Sequence, residues 1–199
     1  GDVYKRQPLT MLLLGQVFAD AGLPEGVMSI LPTSDAAAVT GPLMQDSRLK
    51  KVTFTGSTAV GKTLVRNSAD KLLRTSMELG GNAPLIVFDD ADIDKAVDGA
   101  MLAKMRNGGE ACTAANRIHV ANSVLEEFTD KLSARIEALK IGSGLDPDTN
   151  IGPLINERQR TVVKTLVDDA VEKGARVRVG GQVVDGPGFF FAPTVIDQV

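Results

Sequence analysis

"LKKVTFTGSTAVGK", residues 49–62, runs from a β-branched stretch into one glycine and on to a second glycine that opens a helical pattern. Val52 and the threonines around Phe54 favour a strand, and Gly56 ends it. Residues 61–68 continue at helical spacing, so the stretch predicts a strand, a tight turn and a helix. The same alternation extends outward on both sides. Upstream, "PLTMLLLGQVFADAGLPEG" carries apolar residues at helical spacing until Gly22 and Pro24 stop it; "GVMSILP" reads as a short strand and residues 36–44 as a short helix. Downstream come the strand-like runs "RTSMEL" and "APLIVF", a helix over 92–105 behind an acidic start, and a strand "RIHVA". Beyond these lie a helix over 124–139, the turn-rich loop "IGSGLDPDTNIGPL", a helix over 157–173, and the strands "ARVRVGG" and "FFFAPTVI". Alternation of this kind predicts an α/β architecture of parallel sheets covered by helices.

Composition narrows the function. The 199 residues carry a formal net charge of -3, which offers no basic surface to a phosphate backbone, so nucleic acid is a poor partner. No apolar run approaches the roughly 18 residues that span a bilayer, and "MLLLG" is too short for a secretory core, so no membrane association and a cytoplasmic home are expected. One cysteine forms no internal disulfide, and one cysteine with one histidine falls short of a zinc ligand set; no metal is expected.

Three places carry chemistry. At the turn after Gly56, the backbone N–H groups of the first helical turn make a favourable seat for a phosphate. Gly56 to Thr63 also fits the G-x-x-x-x-G-K-[ST] pattern, so a P-loop nucleotide triphosphatase is a rival reading, weakened by how closely Asp89 follows. A helix-capping Ser-Thr turn without a ligand is the bland alternative. In "MELGGNAP", Glu78 ends an apolar run before two glycines, where a carboxylate is expected to be partly desolvated and suited to proton transfer; an ordinary strand-end glutamate is the alternative. In "NGGEACTA", residues 107–114, Cys112 sits among small residues that argue for close backbone approach to a ligand rather than a core position. His119 reads as a structural or surface residue, which disfavours a cysteine–histidine pair and leaves Glu78 as the candidate base.

"FTGSTAVGK", "MELGGNAP" and "NGGEACTA", in that order and spacing, with "IGPLI" and "FFFAPTVI" downstream, resemble the aldehyde dehydrogenase superfamily from Pro8 to Val199. The closest likeness is to succinate-semialdehyde dehydrogenases, because Arg106 stands six residues before the cysteine, where an arginine fork suits a substrate's distal carboxylate. A surface ion pair is the alternative for Arg106. The resemblance implies Cys112 as nucleophile, its own backbone N–H as part of the oxyanion hole, and Glu78 as the base that activates water. It also implies NAD or NADP as cofactor, with Gly56, Ser57 and Gly61 at the pyrophosphate and Leu79 against the nicotinamide. A small-molecule aldehyde is the implied partner and a homo-oligomer the implied form of the parent enzyme. Ala114 stands where some relatives have a second cysteine, so no redox disulfide is expected. Glu110 replaces a common glutamine.

Residues 1–7, "GDVYKRQ", look foreign: Asp2 to Gln7 back-translate to the end of a transposon adapter used in library preparation, which suggests a fragment. The strand-like last residues suggest a cut C-terminus as well. Residues 8–79 are then expected to be the C-terminal part of a Rossmann-type NAD(P)-binding domain, and 80–199 most of an α/β catalytic domain. The family's oxyanion asparagine, its ribose-binding lysine and a downstream ribose-binding glutamate are missing, so the fragment by itself is expected to be inactive. A non-catalytic nucleotide-binding remnant is the non-enzyme alternative.

Overall fold

The computed structural model of the chain describes residues 8–199; the stretch read as an adapter lies outside them. The chain forms two compact units, one ending at Gly80 and one beginning at Gly81. No helix among the described residues is long and apolar enough to cross a membrane.

The first unit contains α1 (Leu9–Asp20), α2 (Ala36–Gln45), β1 (Lys51–Gly56), α3 (Thr58–Ala69) and β2 (Arg74–Leu79). β1 and β2 are parallel, pairing Lys51 with Arg74 through to Gly56 with Leu79, and α3 is the crossover between them. That is the connection parallel strands require. Asp35 caps α2 by accepting from Ala38 N–H at 3.1 Å. Among the described residues Met44 and Leu73 are the buried apolar side chains here, and Ser68 is buried with its hydroxyl donating to the Leu64 carbonyl at 2.8 Å.

The predicted strand "GVMSILP" is not a strand: residues 28–33 carry no regular structure. A strand is defined by its neighbour, and none of the described strands forms a ladder with this segment. Ile30 packs on α1 instead, at Gly15, where a Cβ would stand 2.8 Å from Ile30 Cδ1. α3 begins three residues before the predicted start, because Ser57 rather than Gly61 is its cap.

The second unit contains β3 (Ala83–Val87), α4 (Ile93–Met105), β4 (Ala115–Val120), α5 (Leu125–Glu137), α6 (Glu157–Glu172), β5 (Arg176–Val179) and β6 (Val195–Asp197). β3 and β4 are parallel, again with a helix between them. Asp92 caps α4 through Lys95 N–H at 3.2 Å, and Asn156 caps α6 through Gln159 N–H at 2.9 Å. The core joins β3, α4 and α5 through Val87, Ile93, Val97, Ala100, Phe128, Leu132 and Ile136. Phe128, 2% exposed, is the largest of them, and burying such a ring stabilises by about 1.5–3 kcal/mol.

β5 and β6 are antiparallel rather than parallel, and β6 is shorter than predicted. Pro193 has no N–H to give a ladder, and Phe191 makes only an isolated bridge to Val183. Arg176, opposite Asp197 in the ladder, holds that carboxylate bidentately, Nε to Oδ1 at 3.0 Å and a terminal nitrogen to Oδ2 at 2.7 Å. Arg178 lies in ion-pair contact with the same carboxylate and with Glu126 of α5.

The Arg176 guanidinium, followed by the charge of Arg178, holds the Asp197 carboxyl below the usual carboxylate range. A carboxylate depressed in the folded state contributes stability above its unfolded pKa and loses it as pH falls through the folded value. Asp197→Asn should therefore lower the melting temperature at pH 7, and the gap from the parent chain should narrow below about pH 4. Thermal unfolding monitored by circular dichroism from pH 7 to pH 2 checks this; a pH-independent gap would assign the effect to packing.

Candidate functional site

The first unit assembles one half of the predicted site. The parallel register sets Thr55 beside Glu78 and Gly56 beside Leu79, so both candidates on β2 lie at the C-terminal ends of the two strands. Ser57 alone separates β1 from α3, and its hydroxyl accepts from Val60 N–H at 3.4 Å. α3 has no acidic residue in its first turn. Gly61 is buried, and a Cβ there would stand 2.7 Å from Leu79 Cδ2, so the Leu79 side chain lies against the first turns of the helix. A helix N-terminus at the C-terminal edge of parallel strands is where open α/β sheets seat dinucleotides. The missing side chain of Gly61 leaves room for Leu79, and that of Gly56 leaves room for the Phe54 ring.

Two expectations are corrected here. The P-loop reading fails because that pattern needs an extended loop to wrap a phosphate, whereas residues 58–63 are helical. Thr63, the last residue of that pattern, donates its hydroxyl to the Ala59 carbonyl at 3.2 Å. Glu78 is exposed rather than partly desolvated, since alternation along β2 turns it to solvent while Met77 and Leu79 are half-buried.

The second unit holds the thiol. α4 ends at Met105, and the chain then reverses through Asn107 (φ 54°), Gly108 (φ 63°) and Gly109 (φ 77°), three consecutive left-handed residues. At Gly109 a Cβ would stand 3.1 Å from Lys104 Cε, Nζ and backbone oxygen, so the turn folds flat onto the last turn of α4. Cys112 follows, exposed and unpaired, before the buried Ala114 and Ala115 start β4. The thiol is not walled in by hydrocarbon. Arg106, at the C-cap of α4, is also exposed. His119 is exposed on β4, as a surface residue would be. Gly56, Ser57, Gly61, Glu78 and Leu79 thus converge in the first unit, and Arg106 and Cys112 lie on one turn of the second.

Three polar residues around that turn escape sequence reasoning. Lys104 donates to Asn116 Oδ1 at 2.6 Å and, more loosely, to the Gly109 carbonyl at 3.4 Å. Arg117 donates to the Asn82 carbonyl at 3.1 Å, fastening β4 to the segment that enters β3. A lysine in the last turn of a helix is visible in sequence as a dipole partner; that its amine turns back to a loop five residues on is not.

The family model described as "Aldehyde dehydrogenase family" matches residues 4–199. The chain belongs to the aldehyde dehydrogenase family. It is 55% identical over 195 residues to a succinate-semialdehyde dehydrogenase of Paenarthrobacter nicotinovorans, covering 98% of this chain and 43% of that protein. It is 48% identical to a protein of Sinorhizobium fredii named "Probable succinate-semialdehyde dehydrogenase [NADP(+)]", covering 99% of this chain and 41% of the relative. The fold matches the crystal structure of succinate-semialdehyde dehydrogenase from Burkholderia pseudomallei with a TM-score of 0.92 at 42% identity, over 96% of this chain and 40% of that one. The chain therefore spans less than half the length of these aldehyde dehydrogenases.

The left-handed turn yields a test by sign. Gly109→Ala places a Cβ against the α4 backbone at φ 77° and should destabilise by about 1–2 kcal/mol. Gly99→Ala, within α4 and with open space around its Cβ, should stabilise by about 0.5–1 kcal/mol. Urea unfolding of the two variants checks the pair, and equal shifts would remove the conformational argument.

Proposed function

We propose that the longer protein to which this chain belongs oxidises an acid-bearing aldehyde, succinate semialdehyde foremost, to the carboxylic acid with NAD or NADP. What supports this most is the exposed Cys112 on a turn built from left-handed small residues, six positions after the exposed Arg106, in a chain of this family. The names of both relatives specify succinate semialdehyde, and one specifies NADP(+).

Each step follows from a residue's chemistry. Arg106 receives the distal carboxylate of the substrate on its fork and so presents the aldehyde carbon to the thiol. The Cys112 thiolate forms a C–S bond to that carbon, and the carbonyl oxygen becomes an oxyanion that the Cys112 backbone N–H helps to hold. NAD or NADP, when bound, would supply the acceptor for the hydride that leaves the thiohemiacetal carbon, giving a thioester on Cys112. Glu78 then takes a proton from water as the water attacks the thioester; the C–S bond breaks, the acid leaves and the thiol is restored. Ser57 and the N-terminal amides of α3 would hold the cofactor's phosphates beside Gly56 and Gly61, and Leu79 would pack against the nicotinamide. In this reading residues 8–79 end the cofactor domain and 80–199 belong to the catalytic domain.

Specificity tests the reading. The full-length dehydrogenase, assayed with both cofactors, should prefer succinate semialdehyde to acetaldehyde. Arg106→Met should lower kcat/KM for the acid-bearing substrate about 10- to 100-fold, the worth of charge-assisted hydrogen bonds, and leave acetaldehyde within about threefold. Cys112→Ser should abolish turnover of both. Equal losses on the two aldehydes with Arg106→Met would sink the carboxylate assignment, and turnover by Cys112→Ser the nucleophile.

A further inference from the structure

We propose that Lys104 is a positioning residue for Cys112, pinning the turn that carries the thiol and setting a positive charge beside it. The inference deepens the reading of Cys112 as nucleophile and rests on it. Its structural basis is that one ammonium joins three separate pieces of backbone: Lys104 extends from the last turn of α4, reaches the Gly109 carbonyl in the left-handed turn, and donates to Asn116 Oδ1 on β4. Cys112 lies between the two acceptors, three residues after one and four before the other.

The turn runs from the end of α4 to the start of β4. Its backbone bonds are short-range, Glu110 N–H to the Asn107 carbonyl at 3.2 Å and Ala114 N–H to the Ala111 carbonyl at 2.9 Å, and no strand ladder covers residues 107–114. Gly109 leaves the space the lysine occupies, since a Cβ there would stand 3.1 Å from Lys104 Cε and Nζ. The amine is partly buried, and burial pushes its pKa down from the ordinary lysine value. Burial also weakens screening of its field. Three residues span at most about 11 Å between Cα atoms, so the lysine's anchor at Gly109 and the thiol lie on one short turn.

The single cysteine makes the test direct, because any alkylation of a thiol in this chain is alkylation of Cys112. The rates of carboxymethylation by anionic iodoacetate and carbamidomethylation by neutral iodoacetamide are compared at one pH, on the 199-residue chain, by intact mass. A nearby cation favours the anionic reagent. Lys104→Met should lower the iodoacetate-to-iodoacetamide rate ratio about two- to fivefold, and Lys104→Arg should restore it to within about 1.5-fold of the parent. Asn116→Leu, which removes the tether but keeps the charge, should lower the ratio in the same direction by freeing the ammonium to solvent, and it stands in if Lys104→Met fails to fold. A role in packing alone would change both rates together; an unmoved ratio in Lys104→Met, or no recovery with Lys104→Arg, overturns the proposal. The ratio is read without aldehyde or cofactor. Failure of the dehydrogenase reading would appear separately, as turnover by the full-length Cys112→Ser protein.

Discussion

The reversal of the chain at Asn107 to Gly109 is the constraint on which the thiol's situation depends. A helix continued past Met105 would carry residue 112 about 10 Å further along the axis of α4. Arg106 leaves the helix at ψ 132°, three left-handed residues follow, and the chain comes back across the helix end. Asparagine is among the few side chains that accept such a conformation, and glycine accepts it without penalty. Ala114 and Ala115, 3% and 5% exposed, then anchor the start of β4. The result is a thiol at the surface whose neighbours two and three residues on are in the core, so Cys112 is exposed while the backbone beneath it is fixed.

That turn can be placed accurately only because α4 is. Ile93, Val97 and Ala100 hold α4 against Val87 of β3 and against Phe128, Leu132 and Ile136 of α5. Two ion pairs run alongside this contact, Lys131 to Asp94 and Arg135 to Asp98, both at 2.7 Å. Their side chains are exposed, so each contributes little beside the apolar burial. The glycines serve different ends in the two units. Gly61 is needed for space, because Leu79 occupies the volume a Cβ would take; Gly109 is needed for both its backbone angle and the room it leaves Lys104.

The β–α–β order of the first unit was legible because "KVTFTG" and "RTSMEL" are β-rich runs separated by a single capped helix, and their parallel direction follows from that connection. The helices over 92–105 and 157–173 were legible from caps and periodicity, each to within a residue. The failures have physical causes. "GVMSILP" has strand composition, but no described strand is its neighbour, and pairing is not a property of one segment. The antiparallel sense of β5 and β6 depends on the path of the intervening loop, which carries no periodic signal. Motif spacing pointed to Cys112, Arg106 and the glycines, whereas Lys104 and Asn116 are ordinary residues of a helix end and a strand whose importance appears only when the turn folds between them.

The exposure of Glu78 changes how its proposed role must be understood. Burial in an apolar run was the expected means of preparing this carboxylate, and the alternation of β2 turns it to solvent instead. A general base acts by geometry first: it must come within hydrogen-bond reach of the water it deprotonates. Glu78 is the penultimate residue of its strand, with Leu79 held against α3 behind it and Gly80 and Gly81 ahead. A fixed leucine and two glycines leave the carboxylate at the end of a defined strand yet next to backbone that rotates freely. In the proposed reaction, Glu78 would then act through its position at the strand end, and not through burial.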